Sequence, residues 1–412
     1  MVVNKSFKLN QLGFVGRGKS KHRPRNDISL YGGDYPFIQT GEVKAADLYL
    51  TEYTQTYNEK GLAQSKLWEP ETLCITIAAN IAETAILKLK ACFPDSIVGF
   101  VADPEKADVS FIKYYIDTIK LKMQNVSRGT TQDNLSLDKL LMFDFLVPPV
   151  TTQRKIASIL SAYDDLIENN TRRIKILEEM ARMIYREWFV NFRFPGHEKV
   201  KMVDSPLGRI PEGWAIGTIN DVVSIKSGFA FKSDYFVKEG AYGLVTIKNV
   251  QDGQFDPVCS SRITDIPQRV PAYCILKTGD ILISLTGNIG RACLVYGNDL
   301  LLNQRVAKLV PLEPNNEAFA YFTFRQDEMR SKLEQISNGV AQQNLSPVET
   351  GKMDFCVPSK LVLARFSHFC VPIISQLLAM YKKNQNLRQT RDLLLPKLIS
   401  GEVDVSKLDN VA

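Results

Sequence analysis

Histidine is scarce in this chain, and its cysteines are not spaced as pairs. The three histidines, His22, His197 and His368, lie far apart and build no triad or metal cluster. The seven cysteines (Cys74, Cys92, Cys259, Cys274, Cys293, Cys356 and Cys370) include no C-x-x-C pair and are odd in number. A disulfide framework is therefore not expected, and a reducing compartment fits. A glycine-rich cofactor turn and an Asn/Asp-Pro-Pro-aromatic motif are both missing. The sole Pro-Pro stands in LVPPV, which removes a methyltransferase centre. The opening MVVNKSFKLNQ has no apolar signal core, and no 18-residue apolar run is expected anywhere. The expectation is a soluble, cytoplasmic protein without a membrane partner, a cofactor or a metal. The charge excess is also small, 51 Lys and Arg against 45 Asp and Glu. It permits a polyanionic partner without identifying one.

What is present is chain enough for more than one core, and a repeat. The 412 residues are 45% hydrophobic and 23% charged, which suits two or more folded domains. Residues 127–149 read SRGTTQDNLSLDKLLMFDFLVPP, and residues 337–359 read SNGVAQQNLSPVETGKMDFCVPS. Without a gap, ten of 23 positions match, where chance gives about one or two. Weaker echoes lie upstream. YPFIQTGEVK (35–44) resembles YGLVTIKNVQ (242–251), and ITIAANIAETA (75–85) resembles ISLTGNIGRAC (283–293). A period near 210 is too long for a solenoid and marks a duplicated, strand-rich domain. In the second copy Ser346, Pro347 and Glu349 form a capping box, which predicts a short helix there.

Each copy is followed by a heptad pattern. Residues 153–190 contain no Pro or Gly. Leu160, Tyr163, Ile167, Asn170, Ile174, Leu177, Ala181, Ile184 and Trp188 recur three and four apart. An offset of 210 leads to Ile373, Leu377, Asn384, Leu387 and Leu394 in a second helix expected over 362–399, with Pro372 and Pro396 kinking or fraying it. Two matching seams in one chain predict that the helices pack on each other. Asn170 and Asn384 interrupt the seams and can fix register. An antiparallel pair of helices about 57 Å long would carry the two bodies at opposite ends. Readers so separated would meet two short DNA segments with an unread gap.

The phrases TQRKIASILSAYDDLIENN, EEMARMIYREWFVNFRFPG, SPLGRIPEGW, LNQRVAKL and RDLLLPKLISGEV resemble those of type I restriction-modification specificity subunits. The resemblance spans nearly the whole chain. It implies an α+β fold of two mixed α/β target-recognition domains separated by two long helices that form an antiparallel coiled coil, a pseudo-two-fold repeat. The domains would cover 1–150 and 193–359, the second including a linker at 193–212. The spacer helices would cover 151–192 and 360–403, with a tail at 404–412. It also implies double-stranded DNA, methyltransferase subunits and endonuclease/translocase subunits as partners. The catalytic activities would lie on those partners. The rival readings are a standalone DNA methyltransferase or nuclease, and a coiled-coil adaptor that binds no DNA.

Several residues are candidate DNA contacts. GFVGRGKS (13–20) fits the spacing of a phosphate loop, but Pro24 stands where its helix must start. We read the segment as a basic loop in which Arg17, Lys19, Lys21, Arg23 and Arg25 face DNA. The matching region of the second copy holds Lys226, Ser227 and Lys232 beside Phe229, Phe231 and Tyr235, the phenylalanines being better suited to a core. Gln132 and Asn134, with Gln342, Gln343 and Asn344, occupy the repeated turn. Because both copies share the pairs Gln132/Gln342 and Asn134/Asn344, these suit holding the turn or touching the backbone better than reading bases. Arg128, Asn288, Arg291, Gln304 and Arg305 complete the set. Asp34, Glu42 and Lys44 match a metal-nuclease spacing by coincidence. Arg172, Arg173, Glu178 and Arg182 are read as exposed charges on the first helix that face partner subunits.

Overall fold

The β-branched and aromatic runs of each copy become short strands, and the uninterrupted heptad runs become helices. The computed structural model describes residues 4–127, 134–337 and 344–405. It forms two units, Met1–Asn169 with Gln385–Ala412, and Asn170–Asn384.

The first unit has a sheet in the order Gly13–Arg17, Ile97–Ala102, Leu73–Thr76, Thr84–Leu87 and Tyr49–Leu50. The second unit repeats the order with Val223–Ser227, Val306–Pro311, Ile281–Ser284 and Ala292–Leu294. A second sheet also recurs. Gln55–Tyr57, Tyr31–Phe37, Ala91–Cys92 and Leu67–Trp68 are matched by Arg262–Ile263, Tyr242–Val245, Leu300–Leu302 and Ile275–Leu276. In both sheets the central pair is parallel and its flanking pairs are antiparallel. The register is shared as well: Cys74 faces Ala85 and Leu282 faces Cys293, an offset of 208 in both partners. The repeated turn ends at the expected helix. Ser346 caps Pro347–Gly351 by accepting the Glu349 N–H at 3.3 Å.

The long helices run Val150–Tyr185, followed by a widened turn Arg186–Val190, and Lys360–Ser400. In the first unit Ile156, Ala157 and Leu160 share a core with Leu398 and Ile399, against which Leu394 packs. In the second unit Ile174 meets Leu377 and Met380, while Tyr185 and Trp188 meet Phe366. Numbers rise along one helix as they fall along the other, so the packing is antiparallel within each unit. Leu160, Ile167, Asn170, Ile174, Leu377 and Asn384 are buried. Tyr163, Leu177, Ile184, Ile373, Leu387 and Leu394 are half-buried.

Three expectations need correction. The second helix is continuous through Pro372 and Pro396. Both prolines are exposed, so the carbonyls they leave unbonded can be solvated. That helix also holds an 18-residue stretch of mean hydropathy 1.6, long and apolar enough by composition to cross a membrane. A stretch of such composition is therefore present, although polar residues interrupt it and only 39% of it is buried. Finally, Glu178 is not an exposed charge. It is 8% exposed and ion-paired with Arg325. Arg182 meets Asp327 at 3.1 Å, while Arg172 and Arg173 are exposed.

The two seam asparagines meet. Asn170 Nδ2 donates to Asn384 Oδ1 at 2.8 Å, and Asn384 Nδ2 donates to Thr171 Oγ1 at 3.2 Å. A buried amide pair satisfies itself only in one register. Asn170→Leu alone is therefore expected to cost about 1–2 kcal/mol. Asn170→Leu with Asn384→Leu should recover most of that loss. Chemical denaturation of the four-member cycle checks this, and additive single costs would contradict it.

Candidate nucleic-acid interface

In each unit the same loops gather at one edge of the sheets. The chain leaves Gly13–Arg17 at Gly18, where a Cβ would lie 2.3 Å from the carbonyl oxygens of Phe93 and Pro94. Gly228 repeats this in the second unit, 2.1 Å from the Asn303 carbonyl oxygen. The glycine that made GFVGRGKS look like a phosphate loop thus serves a close backbone crossing. A bend rather than a helix follows it, and the next helical turn starts at Ile28.

The loop after Leu73–Thr76 and the one after Ile281–Ser284 share one scaffold. The Thr76 hydroxyl donates to the Asn80 carbonyl and accepts the Glu83 N–H at 3.0 Å. The Ser284 hydroxyl donates to the Asn288 carbonyl and accepts the Arg291 N–H at 3.1 Å. Two left-handed residues shape each turn, Ala79 (φ 62°) and Ala82 (φ 60°), then Gly287 (φ 72°) and Gly290 (φ 75°). Ile77 donates to the Ser96 carbonyl and Leu285 to the Arg305 carbonyl, each at 2.9 Å. Leu135 donates to Ile77, and Leu345 to Leu285, with Asn134 and Asn344 bridging to Ala78 and Thr286. The repeated turn is thereby tied to this loop through its backbone. Arg128, Gln132, Gln342 and Gln343 lie outside the described residues.

The five cations of the first basic loop divide. Arg17 donates to the Asp95 carbonyl at 3.1 and 2.8 Å, and Arg25 pairs with the Asp95 carboxylate at 2.5 Å. Arg23 folds back on the carbonyls of Ser20 and His22 at 2.6 and 2.8 Å. These three arginines brace the loop, although all remain exposed. Asp27 pins its far end, accepting the Ser29 N–H at 2.9 Å and contacting His22 at 2.7 Å. The Ser29 backbone N–H and side chain, then His22, hold the Asp27 carboxyl down at about 2. Lys19 and Lys21 are exposed and form no ion pair among the described residues.

In the second unit Lys226, Ser227 and Lys232 are exposed. Phe231 is 5% exposed and Phe229 packs beside it, as core residues, whereas Tyr235 is 52% exposed. Gln304 and Arg305 are exposed at the turn before Val306–Pro311. Arg305 holds a left-handed φ of 70° that its side chain does not favour.

Two residues of this edge escaped the sequence reading. Lys44, first set aside with a spurious nuclease pattern, is exposed and reaches Asn80 Oδ1 at 3.3 Å. Glu42 instead accepts from Gln39 and Thr54. The ITIAANIAETA/ISLTGNIGRAC echo already placed Asn80 opposite Asn288 and would have identified it. Among the described residues no cluster of three or more His, Cys, Asp or Glu could hold a metal. The buried thiols of Cys74 and Cys293 are pushed up by burial, which suits core packing.

Comparison with known proteins places this geometry. A model of the type I restriction modification DNA specificity domain matches residues 1–179 and 211–348. The MjaIX specificity subunit of a type I restriction enzyme from Methanocaldococcus jannaschii is 24% identical over 97% of this chain and 94% of that protein. The HindI specificity subunit of Haemophilus influenzae is 22% identical over 68% of this chain and 74% of its own. The crystal structure of a type I S subunit from M. genitalium shares the fold at a TM-score of 0.60, with 15% identity and 96% of both chains covered. Two matched domains on a duplicated α+β scaffold with paired long helices lead to one conclusion: the chain belongs to the family of type I restriction-modification specificity subunits.

Proposed function

We propose that the chain is a non-catalytic subunit that reads a bipartite site on double-stranded DNA and holds the methyltransferase and endonuclease/translocase subunits on it. Residues 1–150 and 193–359 act as the two target-recognition domains, and 151–192 and 360–403 as spacers. The complex as a whole is then an adenine methyltransferase and site-specific deoxyribonuclease of the cytoplasm, with its chemistry on the partners. The observation that carries the reading is the loop edge. One scaffold is built twice, and each copy presents different exposed cations: Lys19, Lys21 and Lys44 in one unit, Lys226, Lys232 and Arg305 in the other. Such cations meet phosphates, and the residues that differ between copies read bases.

The test is to exchange residues 205–355 for those of another family member in the complex reconstituted with its methyltransferase partner. One half of the recognised sequence should change and the other half persist; an unchanged sequence overturns the reading. Specific binding should also weaken steeply with salt. With six phosphate contacts the loss is roughly 1000-fold between 50 and 200 mM. An adaptor held by an apolar interface would lose little.

A further inference from the structure

The shared loop scaffold carries opposite chemistry at one position. Glu83 and Arg291 are equivalent, each donating its backbone N–H to the scaffold hydroxyl. Glu83 is neutralised within its unit by Lys120 at 2.6 Å. Arg291 has no such partner. Its guanidinium donates to Gln251 Oε1. With its oxygen turned toward the loop, the Asn288 amide accepts from both terminal nitrogens at 3.2 Å. Among the described residues the guanidinium meets these neutral amides and no carboxylate. Elsewhere in the unit, Arg182, Arg186, Arg325 and Arg330 all face carboxylates.

A cation needed only to touch phosphate can be flexible, and the exposed Lys226 and Lys232 supply that in the same unit. Two amides that fix the plane of a guanidinium while leaving its charge uncompensated do something else. They preorganise a planar fork, whose donor spacing matches the O6 and N7 acceptors of guanine in the major groove. The loop is further supported by the Arg305 carbonyl, and Thr286 Oγ1 in it is buried without a partner among the described residues.

We propose that Arg291, oriented by Gln251 and Asn288, reads a guanine in the half-site recognised by the second unit, and that Glu83 keeps the first unit from reading the same base there. This rests on the DNA-reading function proposed above.

The experiment maps adenine methylation across the genome of cells carrying the complete system with wild-type, Arg291→Ala or Arg291→Lys subunits. The wild type should give a bipartite sequence, whose second-unit half is identified by the 205–355 exchange. In Arg291→Ala one G·C position in that half should become degenerate, with discrimination falling about 10- to 100-fold. The other half and the gap should be unchanged. Arg291→Lys keeps the charge and loses the fork, so it should relax the same position while non-specific DNA binding stays constant. Thermal melting of both variants separates loss of folding from loss of reading. The inference is overturned if the sequence is unaltered in the folded variants, if methylation falls evenly at every site, or if the relaxed position is A·T. Absence of any bipartite sequence in the wild type would instead overturn the proposed function.

Discussion

Arg325→Ala is expected to destabilise the second unit by about 3–5 kcal/mol, because it leaves a buried carboxylate without its counter-charge. Arg325 is 6% exposed and follows the helix Glu317–Phe324. Its Nε donates to Glu178 Oε1 at 2.6 Å, and its Nη1 meets Asp252. Tyr321 donates to the same Glu178 oxygen at 3.0 Å, its phenol kept protonated by burial and by the Glu178 charge. One guanidinium thus ties the first long helix, the helix it follows and the loop at Asp252. For a unit of this size the cost corresponds to a fall of roughly 6–20 °C in Tm. Calorimetry should show it in the transition of the second unit. Arg325→Met with Glu178→Met removes both charges and should lose much less, since a buried pair and an apolar replacement are often near-equal in stability. A loss under about 1 kcal/mol for Arg325→Ala would show that water reaches Glu178 and screens it.

This cluster also explains where sequence reading stops. The repeat was legible because turn residues and strand ends are dictated locally: Gln-Asn-Leu-Ser and Asp-Phe recur at one offset. The helices were legible because a seam needs apolar residues every three or four positions. Partners distant in sequence were not. Glu178 looks like a solvated helix charge until Arg325, 147 positions away, covers it. Arg17 and Arg25 look free until the chain returns at Asp95. Lys44 and Asn80 are 36 positions apart, and only the folded loop brings them together. Base-reading chemistry is of this non-local kind, so the scaffold of the site was far easier to foresee than its readers.

The polar anchors break the repeat. In the first unit the buried carboxylate is Asp164, 2% exposed and two heptads before Glu178 on the same helix. Exact two-fold repetition would put the second carboxylate on the second long helix, where Ile374 stands instead. Asp164 accepts the Tyr114 hydroxyl at 2.5 Å and pairs with Arg391, whose other arm reaches Asp392 at 2.9 Å. Burial first, and then the Asp164 charge, push the Tyr114 phenol up, so it stays a donor at any working pH. Asp164→Ala therefore leaves a buried hydroxyl without its acceptor and a largely buried guanidinium with Asp392 as its remaining carboxylate. The expected cost is again about 3–5 kcal/mol, now in the first unit. Asp164→Asn keeps an acceptor for Tyr114 but not the charge facing Arg391, and should cost about half as much. Tyr114→Phe should cost about 1–3 kcal/mol, since it leaves a charged acceptor with one donor fewer. Because Asp164 shares both partners, Asp164→Ala with Tyr114→Phe must be less destabilising than the two single costs combined. Denaturant titrations of this cycle decide the matter. Strict additivity would mean that Tyr114 and Arg391 hold the helix independently, and that no single carboxylate anchors the unit.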